Sequence, residues 1–145
     1  MKMPEYVTID EVRRVCGELG IRDWTSLPAA EVLPEEAETI LGEVNVQRMG
    51  VLVEDFRQGL EVELEHGTRF EDANVTNNHP ILTGKIVLAH LKETLDYYKR
   101  IAVAEIEGDL LRAVLSGNVE KTREKYGKLL EAERVLNQAI AEQLP

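Results

Sequence analysis

The chain has one cysteine among its 145 residues, only seven aromatic side chains and five prolines. A lone Cys16 cannot close an internal disulfide, so no cross-linked secreted scaffold is on offer. Beside Val15 and Leu19 in a helical pattern, Cys16 reads as a small core residue. No apolar run approaches the ~20 residues that span a bilayer. The opening MKMPEYVTID holds no apolar stretch of signal-peptide length. Basic residues are also scarce: 17 Lys and Arg stand against 27 Asp and Glu, for a net charge of −10. Nucleic-acid binders neutralise phosphates with basic clusters, and anionic membrane surfaces attract the same clusters. Neither partner is expected, and the cytoplasm is the expected compartment.

What is present is enough apolar material for a core, 43% of the residues, and no long Pro, Gly or Ser linker. Its spacing is helical throughout, without strand alternation. Thr8-Ile9-Asp10-Glu11 is a capping box opening a helix to about Leu19, with Gly20 as its left-handed stop. Residues Ile21 to Leu33 are irregular, with Trp24 as a plug. Pro34 opens a short helix to Leu41, with Glu35 and Glu36 at its positive end. A longer helix is predicted over Val51 to His66, ended by Gly67. A polar loop follows over Thr68 to Pro80. One helix then runs from about Ile81 to Leu115, with Gly108 its weak point. After the turn Ser116-Gly117-Asn118, a last helix runs from Val119 to Leu144. The expected fold is all-α: a small helical N-terminal region over residues 1–48, then a bundle of three longer antiparallel helices over 49–145.

Two tetrads carry the chemistry. Glu63-Leu64-Glu65-His66 reads Glu-x-x-His, and His90-Leu91-Lys92-Glu93 reads His-x-x-Glu. Residues three apart share a helix face, so two antiparallel helices could unite two imidazoles and two carboxylates, the ligand types of metal sites in helix bundles. At ~100° per residue, Glu63 falls inside the apolar face of Phe56, Leu60 and Leu64, whereas Glu65 and Glu61 point to solvent. A buried carboxylate without a partner costs several kcal/mol, so Glu63 calls for one. On the next helix His90, Glu93 and Tyr97 form a polar seam, and Glu105 sits in the apolar sector. Glu133 interrupts the last helix's stripe of Tyr126, Leu129, Leu130, Leu136, Ile140 and Leu144. A hairpin about Gly117 would bring Glu133 level with Ile101.

Two readings follow. In the first, Glu63, His66, His90 and Glu93 ligate Fe, Mn or Zn in a ferritin-like arrangement, with Tyr97, Glu105 and Glu133 as secondary ligands; any reaction would be a metal-dependent oxidation. In the second, the same residues form a buried hydrogen-bonded clasp in a non-enzymatic structural or protein-interaction module. There Glu63 accepts from His90 or Tyr97, and the Asn-rich loop is a binding surface. Either way a homodimer or higher homo-oligomer is expected, since paired helix hairpins complete a four-helix core. His79 is a further nitrogen in the loop, a third ligand or a group that satisfies backbone ahead of the next helix. Asp72, Asn74, Thr76 and Asn78 mimic a calcium loop but lack its central Gly and final Glu. Thr83-Gly84-Lys85 lacks the upstream glycine of a phosphate loop.

The segments FRQGLEVELEHGT and NVTNNHPILTGKIVLAHLKETLDYYKRI resemble a domain-of-unknown-function family of small bacterial and phage proteins. The resemblance covers about residues 55–107. It rests on ELEHG, an N-V-T loop and TGKIxLAHLxExxDYY in that order. It implies an α-helical fold and no particular activity. This chain departs from the pattern at Thr94-Leu95, where a proline often precedes the aspartate. It also has a longer segment between its N-terminal helix and the ELEHG helix.

Overall fold

A computed structural model describes residues 7–144, apart from the side chain of residue 71. Residues 1–6 of the expected N-terminal region lie outside the described residues. Those described are all helical: six α-helices, two short 3₁₀ turns and no strand. The helices are α1 Ile9–Leu19, α2 Pro34–Val44, α3 Val53–Arg69, α4 Pro80–Glu93, α5 Tyr97–Leu115 and α6 Val119–Gln143. None is long and apolar enough to cross a membrane.

Local chemistry sets the boundaries. The Thr8 hydroxyl accepts from the Glu11 N–H and starts α1. Gly20, at φ 68°, ends it by donating to the carbonyls of Cys16 and Gly17. Pro34 occupies the first turn of α2, where a missing N–H costs nothing. The helix expected from Ile81 to Leu115 is two helices. It breaks at residues 94–96, well before Gly108, which lies inside α5. At the break the Thr94 hydroxyl donates to Asp96, and the Tyr97 N–H turns back to the Thr94 carbonyl. Arg100 then reaches the buried Asp96 with Nε and Nη2, at 2.9 and 2.8 Å. The α-helical ladder cannot continue through a turn closed in this way.

The chain divides into two compact units, Met1–Glu93 and Thr94–Pro145. This differs from the boundary expected at residue 48. In the first unit α2 packs against both α3 and α4, and α3 against α4. The third place beside α3 and α4 is therefore filled by α2. Its core is Val12, Trp24, Val32, Ala37, Ile40, Phe56, Leu60, Leu64 and Val87, each at most 1% exposed. Cys16 is buried with them, and burial pushes its thiol up, away from reactivity. The second unit is the hairpin of α5 and α6. The Asn118 side chain caps α6 by accepting from the Lys121 N–H. Asp109 pairs with Lys125 across the hairpin. Eight residues further along each helix, that register sets Ile101 level with Glu133, as the sequence suggested.

Two ion networks clamp the irregular segment between α1 and α2. Glu36, 2% exposed, accepts from the Arg22 N–H, Nε and Nη2 and from the Leu33 N–H, all at 2.7–3.0 Å. Burial pushes the Glu36 carboxyl up, and these donors more than offset it, so its pKa stays below the ordinary carboxylate value. Glu61, expected in solvent, is half-buried; its Oε1 accepts from the Val32 N–H at 3.1 Å and pairs with Arg57. A helical wheel shows only that Glu61 leaves its own apolar face. The segment that comes to meet it belongs to a different part of the chain.

Candidate functional site

The last turns of α3, the Asn-rich loop and the start of α4 enclose a cleft of about 130 Å³. Glu63, His66, Gly67, Asn74, Thr76, Thr83 and Ile86 line it. Glu63 is 18% exposed at its side chain. His90 of α4 places Nε2 3.6 Å from Glu63 Oε1, and His66 places Nδ1 3.9 Å from Oε2. One carboxylate thus lies between two imidazoles, one from its own helix and one from the next. These are ion-pair separations for a protonated imidazole, longer than hydrogen bonds.

The other expected ligands fall elsewhere. Glu93 is the last residue of α4 and is exposed. The seam His90–Glu93–Tyr97 does not run along one helix, because α4 ends at Glu93. Tyr97 starts α5 in the second unit, edge-on to Tyr98 with ring centroids 5.2 Å apart. Glu105 is exposed in mid-α5, and Glu133 is half-buried on α6. Glu65 points outward, as expected, and pairs with Arg69. Among the described residues, no three His, Cys, Asp or Glu side chains are grouped to hold a metal ion.

The loop is built from amides. The Asn74 Nδ2 donates to the Gly67 carbonyl at 3.2 Å and to Asn78 Oδ1 at 3.0 Å. A Cβ on residue 67 would lie 2.1 Å from Asn78 Oδ1, so the ELEHG glycine is the seat of the loop. Its role is packing, because α3 continues through it to Arg69. Asn77 and Asn78 adopt left-handed backbone at φ 49° and 61°, which asparagine tolerates better than most residues. Asn77 donates from Nδ2 to the Val7 carbonyl at 2.6 Å.

His79 caps α4. Its carbonyl accepts from the Thr83 N–H, and its Nδ1 accepts from the N–H groups of Ile81 and Leu82 at 3.2 and 3.4 Å. Of the two roles open to His79, backbone satisfaction is the one observed. Only neutral imidazole can accept at Nδ1. Burial holds the His79 pKa below its ordinary 6.5, with Glu11 pulling weakly the other way. The unfolded chain therefore takes up this proton first as pH falls. The cap's contribution is full above about pH 6.5 and declines as pH drops through the folded-state value. We expect the wild type to lose stability relative to His79→Asn from pH 8 to pH 5, since asparagine caps without titrating. Urea denaturation across that range reads it; a constant difference would refute the titrating cap.

The glycine seat, the asparagine loop and the His90 helix now explain one another as a packed unit, and comparison with known families addresses the same stretch. Residues 12–107 match the family described as Protein of unknown function (DUF5661). The chain belongs to that family. The DUF5661 match takes in α1 and α2, which the motif resemblance left out, and ends within α5. Comparison with curated proteins and with solved structures gives no match.

Sequence reasoning passed over Arg22 and took Glu36 only as an acid near the positive end of its helix. Glu36 stands three residues after Leu33, the residue that precedes α2, at the position where a capping glutamate reaches back to the N-cap N–H. That spacing was the available signal. The missing Ser or Thr at residue 33 concealed it.

Proposed function

We propose that the first unit is a non-enzymatic protein-interaction module. In it Glu63, His66 and His90 tie α3 to α4 as a polar clasp, and the Asn-rich loop is the recognition surface. The observation that carries this reading is the loop's seat on Gly67. Asn74 and Asn78 fill the space where a side chain would stand, and Asn77 anchors the loop to Val7. Val75, between those anchors, is 85% exposed. A loop held in one shape loses little entropy on binding, which suits it to recognising a partner protein.

The alternative is a metal reading that rests on donor chemistry alone: two imidazoles flank one carboxylate, ligand types that suit Fe, Mn or Zn, though the three side chains are not grouped to hold an ion as they stand. Glu63, His66 and His90 would hold the ion, leaving coordination positions open. Thermal melts with and without added Fe(II), Mn(II) and Zn(II) separate the two. Under the clasp reading metal leaves the melting temperature unchanged, and His90→Gln lowers stability by up to about 1 kcal/mol. A metal-dependent rise that His66→Gln and His90→Gln both abolish would replace the interaction reading with the metal one.

A further inference from the structure

The hairpin of the second unit leaves much of its apolar surface in water. Tyr98, Ala113 and Leu129 are its buried hydrophobic residues, whereas Val114, Val119, Tyr126, Leu130 and Leu144 are each 51–71% exposed. Of the stripe expected on α6, only Leu129 is buried. Val114, Val119, Tyr126 and Leu130 share one side, while Leu111 and Leu115, 59% and 78% exposed, turn to the back of α5. With the buried Ala113 and Leu129 as zero on their helices, Val114 lies at about +100° on α5. On α6 Tyr126 lies at about +60°, Val119 at about +80° and Leu130 at about +100°. Asp109 and Lys125 both fall at about −40° and pair with each other. Equal rotations on the two antiparallel helices therefore point to the same side, and the positive flanks form one face, broken on α6 by Glu133 at about +40° and Asn137 at about +80°.

We propose that this face is covered by a second copy of the chain, so that two α5–α6 hairpins close a four-helix core. Two observations select a second copy. The first is area. The exposed parts of Val114, Val119, Tyr126 and Leu130, with the half-buried Val103 and Leu110 beside them, come to roughly 450 Å² per copy. That lies within the range for the largest apolar patch on a monomer, about 300–600 Å², and supplies about half of the ~800 Å² each partner gives to a stable interface. The second is charge. Residues 1–93 carry eighteen acids against nine bases, whereas residues 94–145 carry nine against eight. The net charge of −10 therefore resides almost wholly in the first unit. A hairpin at −1 is where two copies of an acidic protein meet with least repulsion, and a strongly basic partner would find little on it to attract it. Glu107 and Arg123, both near +120°, give the rim one charge of each sign on the two helices. A two-fold axis can bring opposite signs together there.

Sedimentation velocity on the full chain at roughly 100 µM, far above the ~1 µM Kd at which standard-sized interfaces begin, should return a dimer. The double variant Val114→Glu/Leu130→Glu should return a monomer of unchanged helicity by circular dichroism. Val46→Glu, at a position 84% exposed in the first unit, should leave the dimer intact. A monomeric wild type, a double variant that still dimerises, or a dimer lost equally in Val46→Glu would each overturn the proposal. Should the double variant lose helicity, the single substitutions Tyr126→Gln and Leu130→Gln carry the test. Each should weaken the dimer about tenfold or more, and an unchanged Kd in both would overturn it. Glu63, His66 and His90 belong to the other unit, so the result stands apart from the fate of the clasp.

Discussion

Arg22→Ala is expected to destabilise the protein by about 3 kcal/mol at neutral pH. Glu36 is 2% exposed and takes three of its four protein donors from Arg22. Alanine removes the two guanidinium bonds and leaves the backbone N–H groups of residues 22 and 33. Removing one partner of a buried ion pair costs about 3–5 kcal/mol, because the remaining charge is stranded. The Arg22 side chain is 37% exposed, so water can enter where it stood. That places the expectation at the low end of the range. The variant also loses the Arg22 Nη2 bond to the Glu31 carbonyl, 2.7 Å long, and with it part of the clamp on the segment before α2.

The pH dependence identifies the mechanism. In the wild type the Glu36 pKa lies below its ordinary 4.5, so its contribution is complete above that value and disappears as pH falls through the folded-state value. In Arg22→Ala only the two backbone N–H groups oppose burial, and the carboxyl moves up from its wild-type position. The penalty is then full at neutral pH and relieved on acidification, when a neutral Glu36 can remain buried. The stability gap between the two proteins should therefore shrink between pH 7 and pH 4. Guanidinium chloride melts at several pH values measure it. A gap independent of pH would mean that lost side-chain packing, and not a stranded carboxylate, sets the cost.

How far residues could be read in advance depended on how local their cause was. The wheel on α3 placed Phe56, Leu60 and Leu64 inward, and each is at most 1% exposed. It also set Glu63 on that face and Glu65 away from it, because rotation about one axis is fixed by spacing alone. The two histidines beside Glu63 were readable for the same reason, His66 through i, i+3 spacing and His90 through its place on the neighbouring helix. The break at residues 94–96 escaped notice because apolar spacing continues through it, from Leu91 to Tyr98. What ends the helix is polar: Asp96 makes the turn with Thr94 and Arg100. Pairings between distant segments were the least accessible. Ala37, Ile40, Leu41 and Val44 form a helical stripe whose partner, the groove of α3 and α4, depends on how the chain folds back. The joining of Arg22 to Glu36 and of Glu61 to Val32 follows from the same fold-back.

Gly84→Ala should destabilise the protein by about 1–2 kcal/mol, against the usual sign for a glycine within a helix. In mid-helix, alanine is favoured over glycine by about 0.5–1 kcal/mol through backbone entropy. At residue 84 the added Cβ would lie 2.7 Å from Ile40 Cγ2, 3.3 Å from Phe56 Cζ and 3.4 Å from Val44 Cγ1. Ile40 and Phe56 are 0% exposed and cannot swing aside into solvent. Overpacking a filled core costs about 1–3 kcal/mol, more than propensity returns. Gly42→Ala in α2 is the internal comparison. Nothing lies within 4 Å of a Cβ there, so the propensity gain stands unopposed and stability should rise by up to about 1 kcal/mol. The branch on Ile40 is the group that must yield. Leucine lacks a Cγ2, so Ile40→Leu should cost less in the Gly84→Ala background than in the wild type. A double-mutant cycle by urea denaturation should return a favourable coupling of about 0.5 kcal/mol or more. Strict additivity would show that α4 moves away from α2 as a body, and that the glycine of the TGK motif is not the point of closest approach between the two helices.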